Sequence, residues 1–139
     1  MKPCFYIGLA LILFTLGGCG NGEGTKSGET NIKPLPTGNP TGGESVFMGT
    51  CIKCHGKDAT GIEGSGTNLT ISEFVKAHTD AELVEYIKTG RPMNDPLNTT
   101  GIAMPPYGAN PMLTDQDLAD VVSYLRSVQR ALITENNDN

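Results

Sequence analysis

The chain has no tryptophan, only two histidines, and ten basic residues against fifteen acidic ones. A net charge of −5 excludes the basic footprint of a nucleic-acid binder, so nucleic acid is not an expected partner. Aromatics make up 6% and apolar residues 37%, which is little from which to build a core in 139 residues. A domain so poor in large side chains gains from a staple or a bulky bound group. Sustained alternation of apolar and polar residues is also missing, so an all-α domain is expected. Cysteine is sparse. Of the four, Cys4 and Cys19 fall near the start, leaving Cys51 and Cys54 for the body of the chain. What the sequence does have in quantity is glycine (18) and proline (9), the residues of turns and loops.

The one long apolar run, Phe5 to Gly18, follows a single lysine and ends in small residues. It is too short to span a bilayer comfortably and suits the core of a signal peptide over residues 1–18. Its end, Leu16-Gly17-Gly18-Cys19, resembles the lipobox of bacterial lipoproteins. The resemblance implies cleavage before Cys19 and lipidation of that cysteine. Acyl chains would hold the protein to a membrane, on the exported, periplasmic side, without threading it through. Gly20 follows in place of Asp, which by analogy with lipoprotein sorting points to an outer membrane. Loss of residues 1–18 removes one lysine and no acid, so the net charge moves from −5 to −6. A partner with a basic docking surface is therefore expected.

Residues 19–40 are rich in Gly, Ser, Thr, Asn and Pro, with Ile32 and Leu35 the only large apolar side chains, and read as a flexible tether. The domain is expected over 41–131, with a polar tail at 132–139. Three helices can be placed in it. Thr41-Gly42-Gly43-Glu44 has the pattern of a capping box, followed by Val46, Phe47 and Cys51 on one face. Thr79 to Glu82 repeats the signature before Leu83, Val84 and Ile87, and Gly90 supplies a stop. The third begins at Thr114, carries Asp115 and Asp117 in its first turn, and repeats Leu118, Val121, Val122, Leu125 and Leu132 at helical spacing. Between them lie irregular stretches at 56–71 and 91–113, the second holding five of the nine prolines. Loops of that length fit a small domain only if they wrap something large that is not protein.

Cys51-Ile52-Lys53-Cys54-His55 is the attachment signature of c-type haem. On a helix these positions share a face, so two thiols and an imidazole meet one object. The cysteines form two thioether bonds to a single haem c, and His55 ligates the iron. A structural zinc site would need a second ligand pair, and only His78 is on hand. A thioredoxin-like redox pair would need a βαβ unit, which is absent.

Gly43-x-x-x-Phe47, the CxxCH, a Met-Pro and the closing LTDQDLADVVSYLRS together resemble the monohaem class I cytochrome c family over residues 41–130. The resemblance implies a cytochrome c-like fold in which the first and last helices cross at Gly43, Phe47 and Tyr124. It also implies a distal Met-Pro segment just before the last helix, which Met104-Pro105-Pro106 matches. Met48 sits one turn before Cys51, on the proximal side; Met93 remains an alternative to Met104 as sixth ligand. His78, beside Thr79, reads as a solvated residue before a helix. A neutral thioether opposite His55 raises the potential and fills the open site, which favours electron transfer over catalysis. The expected role is single-electron transfer between respiratory or dehydrogenase partners, not an enzyme activity. The alternatives are a haem subunit fixed in a larger oxidase or dehydrogenase complex, and a ligand sensor with an open sixth position.

Overall fold

The computed structural model describes residues 34–137; the signal segment, Cys19 and most of the tether lie outside the described residues. In chain order the helices are α1 (Pro40–Thr50), α2 (Ile52–His55), α3 (Glu73–Ala77), α4 (Asp80–Thr89) and α5 (Asp115–Asn137), with a 3₁₀ turn at Pro106–Ala109. Among the described residues the only β-type pairs are two isolated ones, Ile62 with Gly66 and Arg91 with Met104. The all-α expectation is borne out.

Helix α1 does not start on the expected Thr41 box. Asn39 is the N-cap, its side chain accepting from the backbone N–H of Thr41 and Gly42, and Pro40 takes the first helical position. The shift has a tertiary cause: the Asn39 N–H donates to Asp120 of α5 at 2.7 Å, which fixes where the helix enters. Residues 35–39, expected in the tether, are in fact seated on the domain. Leu35 packs against the core, Gln116 donates to the Thr37 carbonyl at 3.0 Å, and a Cβ on Gly38 would lie 2.3 Å from the Ala119 oxygen. At the other end, α5 continues through the expected tail to Asn137. No glycine or proline follows Asp115 to end it.

The expected capping box at Thr79 forms in both directions, with Thr79 N–H to Glu82 at 2.7 Å and Glu82 N–H to the Thr79 hydroxyl at 3.3 Å. Thr114 and Asp117 make the same exchange before α5. These bonds to the ionised oxygens hold the Glu82 and Asp117 carboxyls below the usual carboxylate range. Lys88 then ties α4 to α5, reaching Glu85 at 2.8 Å and Asp115 at 2.9 Å.

Helices α1 and α5 cross at Gly43. The Phe47 and Tyr124 rings meet there at 5.3 Å between centroids, and Phe47, Leu118, Val84 and Val122 are fully buried around them. A Cβ on Gly43 would sit 1.9 Å from the Asp120 carbonyl oxygen. Gly43→Ala should therefore push the helices apart. Alanine gains up to ~1 kcal/mol of helix propensity, but overpacking costs roughly 1–3 kcal/mol or more. The expected net loss lowers the melting temperature by about 10 °C, read by thermal circular dichroism; an unchanged or raised midpoint would show that the crossing is not close-packed.

One side-chain placement differs from the sequence reading. His78 is half-buried and not solvated: it ends α3, its Nδ1 lies 2.8 Å from the Phe74 carbonyl, and its ring stacks on Phe74 at 4.0 Å. Arg126 of α5 reaches across to α3. It donates to the Val75 carbonyl at 2.6 Å and to the His78 carbonyl, and pairs with Asp80 at 2.9 Å, closing the C-terminus of α3.

Candidate cofactor site

Two adjoining cavities, of about 380 and 230 Å³, lie between the α1–α2 corner and the 91–113 loop. Both have Cys51, His55, Arg91 and Met104 in their walls, and Cys54 lines the larger. The smaller is apolar, walled by Phe47, Phe74, Leu83, Leu118 and Leu125. The structure thus brings Cys51, Cys54, His55 and Met104 to one space, while Met93 and Met112 are 64% and 82% exposed and line neither cavity.

The proximal wall follows from local chain geometry. The Cys51 N–H donates to the Phe47 carbonyl at 2.8 Å, and the Cys51 carbonyl accepts from Cys54 at 3.2 Å and His55 at 3.0 Å. One further helical turn therefore carries both sulfurs and the imidazole to the same side. Burial, helped by Cys54, pushes the Cys51 thiol up to about 11. A thiol that stays protonated at neutral pH is poorly suited to disulfide exchange.

His55 lies 3.0 Å through Nδ1 from the Thr67 carbonyl. A carbonyl can only accept, so Nδ1 carries the proton and Nε2 keeps its lone pair for a metal. Burial lowers the His55 pKa, which keeps the ring neutral. The 56–71 loop that supplies Thr67 lies flat on the CxxCH: a Cβ on Gly66 would fall 2.4 Å from the Cys54 carbonyl oxygen.

The distal wall is the 91–113 loop. Met104 exchanges both backbone bonds with Arg91, at 2.8 and 2.9 Å. After Pro105-Pro106 come three residues at positive φ, Tyr107 (55°), Gly108 (62°) and Ala109 (66°). Two of them are not glycine, so the turn stores backbone strain. Asn110 then donates to the Thr50 hydroxyl at 3.3 Å, tying the loop to α1.

Sequence reasoning missed Phe74, Tyr86 and Arg91. The Arg91 guanidinium lies 4.7 Å from the Phe74 ring centre and 5.0 Å from that of Tyr86. Its place straight after the Gly90 stop was the one available signal.

Haem fits these walls. The space is the size of a cofactor pocket and mostly apolar. Its donors are a pair of thiols, an imidazole with a free nitrogen and a thioether, the soft and borderline set that haem iron and its vinyl edge take. Buried Nε of Arg91 has no hydrogen-bond partner among the described residues, and Asp95 is 3.9 Å away; an anionic group of the cofactor would satisfy it.

The comparisons agree. The family model for cytochrome c matches residues 41–129. The Cbb3-type cytochrome c oxidase subunit CcoP of Rhodobacter capsulatus is 29% identical over 102 residues, covering 69% of this chain and 31% of that subunit. The cytochrome c subunit of an alcohol dehydrogenase (quinone) from Gluconobacter oxydans is 27% identical over 107 residues, 77% of this chain and 22% of the subunit. Cytochrome c-551 of Bacillus subtilis is 32% identical over 85 residues, 61% of this chain and 70% of its own length. The chain therefore spans less than a third of the two larger relatives. No solved structure matches at comparable significance. With one match running from α1 through the CxxCH and Met104 into α5, the chain belongs to the cytochrome c family, electron-transfer proteins whose cofactor is covalently attached haem c.

Proposed function

We propose that this chain is a lipid-anchored, monohaem electron carrier in which His55 and Met104 would hold the iron, passing single electrons between respiratory or dehydrogenase partners on the periplasmic side of a membrane. The observation that carries the reading is Met104 in the walls of the same space as Cys51, Cys54 and His55. Bound haem supplies one-electron Fe(III)/Fe(II) chemistry. The chain's own residues do the rest. Cys51 and Cys54 hold the cofactor edge by two thioether bonds, and His55 offers Nε2 because Thr67 fixes the other nitrogen. Met104 would offer the iron a neutral sulfur, which would favour the reduced form and leave no site for substrate.

The anchor is Cys19, with residues from 20 to the start of the packed body as the tether; outer-membrane attachment accords with Gly20. No helix among the described residues is long and apolar enough to cross a membrane. The acidic surface suits a partner that offers a basic docking face. A second reading, a haem domain held within an oxidase or dehydrogenase assembly, is favoured by the two larger relatives. A redox titration of the purified protein with its visible spectrum tests the carrier role: one Nernstian one-electron step is expected, and rapid carbon monoxide binding to the untreated reduced form would exclude it. Cys19→Ser should move the protein from the membrane fraction to the soluble one; continued sedimentation would rule out lipid anchoring. Recovery from mild detergent only with a large partner would favour the assembly reading.

A further inference from the structure

We propose that Arg91 is the positioning residue that keeps the Met104 thioether in the cavity, an inference that rests on the His55/Met104 reading above. Residues 92–103 form a loop whose neck is a single backbone pair, Arg91 N–H to the Met104 carbonyl at 2.8 Å and Met104 N–H to the Arg91 carbonyl at 2.9 Å. One such pair is weak support for a ligand. The Arg91 side chain reinforces it from the domain side. Its guanidinium lies over the adjoining rings of Phe74 of α3 and Tyr86 of α4, at 4.7 and 5.0 Å. From there Nη1 reaches over to the Leu97 carbonyl at 2.7 Å, in the middle of the same loop.

The rest of the loop is tied to itself. Asn98 Nδ2 donates to the carbonyls of Pro92 (3.2 Å) and Ile102 (2.8 Å), and its Oδ1 accepts from Thr100 and Gly101. These bonds give the loop its shape but no attachment to the helices. Arg91 supplies that attachment, at the neck through its backbone and at the middle through Nη1. Gly90 completes the arrangement: with φ at +74°, its Cα side lies against the Met104 carbonyl, where a Cβ would be 2.3 Å from the oxygen. Hence the α4 terminus, the arginine and the ligand strand move as one piece. Lysine has neither the planar fork nor the stacking surface to do both jobs.

The test uses holoprotein and two readouts that simple loss of stability does not move at 25 °C: the weak red absorption band of an Fe(III)–thioether bond, and the rate of carbon monoxide binding to reduced protein. Arg91→Ala should weaken the band and speed carbon monoxide binding about ten-fold or more, the scale of one lost charged hydrogen bond. Covalent haem content, stained on a denaturing gel, should not change. Arg91→Lys should fall between wild type and Arg91→Ala, and it carries the test if the alanine variant does not accumulate. Asn39→Ala is the control, since Asn39 caps α1 through the N–H groups of Thr41 and Gly42 and lines neither cavity. It should lower the melting temperature and leave both readouts as in wild type. A wild-type band and rate in the Arg91 variants, or an Asn39→Ala protein equally open, would overturn the proposal. Met104→Ala sets the fully open limit; if it keeps the band, the ligand reading itself fails, which is a different result.

Discussion

Replacing Cys51 and Cys54 together by serine is expected to give a chain that loses its haem in acidified acetone and, once haem-free, no longer unfolds cooperatively. The argument is one of empty volume. The smaller cavity, of about 230 Å³, is walled by the core itself, including Phe47, Leu118 and Leu125, which are also the residues that join α1 to α5. At ~24 cal/mol per Å³ an unfilled apolar cavity of that size costs about 5 kcal/mol. Whole domains of this size are stable by only ~5–15 kcal/mol. The larger cavity adds to the deficit, since its walls include the two loops, 56–71 and 91–113, whose partners would be missing. Helical circular dichroism should survive in part, because α5 is long and well capped, while the sigmoidal thermal transition should vanish. A haem-free double variant that melts sharply at the wild-type temperature would show that the protein core is self-sufficient and the cavity reading wrong.

Met104→Ala is expected to abolish the Fe(III)–thioether band, allow carbon monoxide to bind the reduced protein, and lower the potential by on the order of 0.1 V or more, within the ~0.8 V that axial ligands span. A thioether stabilises ferrous iron; water or an empty position does so less. Stability should change far less than in the cysteine variant, because Met104 is only half-buried and the loop keeps its Asn98 and Arg91 bonds. Met93→Ala and Met112→Ala should match wild type in all three measurements, since their side chains point into solvent. A potential shift on losing Met93 instead would transfer the ligand role to it.

Much of this protein was legible along the chain because its chemistry is local. CxxCH spans five residues, and helical geometry alone brings its sulfurs and imidazole to one side. The boxes at Thr79 and Thr114 each close within four residues, and Gly43, Phe47 and Tyr124 could be marked as a crossing because the family resemblance supplied the pairing. Met104 is favoured over Met93 by its two prolines, and its half-buried place in the cavity wall, against the exposed Met93, supports that choice. The start of the packed body is illegible in sequence. Thr37, Gly38 and Asn39 look like tether in sequence and are fixed by Gln116, Ala119 and Asp120, some eighty residues away. His78 looks solvated in sequence because its partner Phe74 lies in a helix too short to show a periodicity.

By itself the sequence determined the cofactor, its covalent attachment and the helical class, since each depends on spacings of a few residues. Only the tertiary structure decided where the ligand loop is anchored. Arg91 reaches Met104, Leu97, Phe74 and Tyr86 from four places along the chain. No pattern of neighbours encodes such a meeting; it arises when α3, α4 and the loop close around the same space.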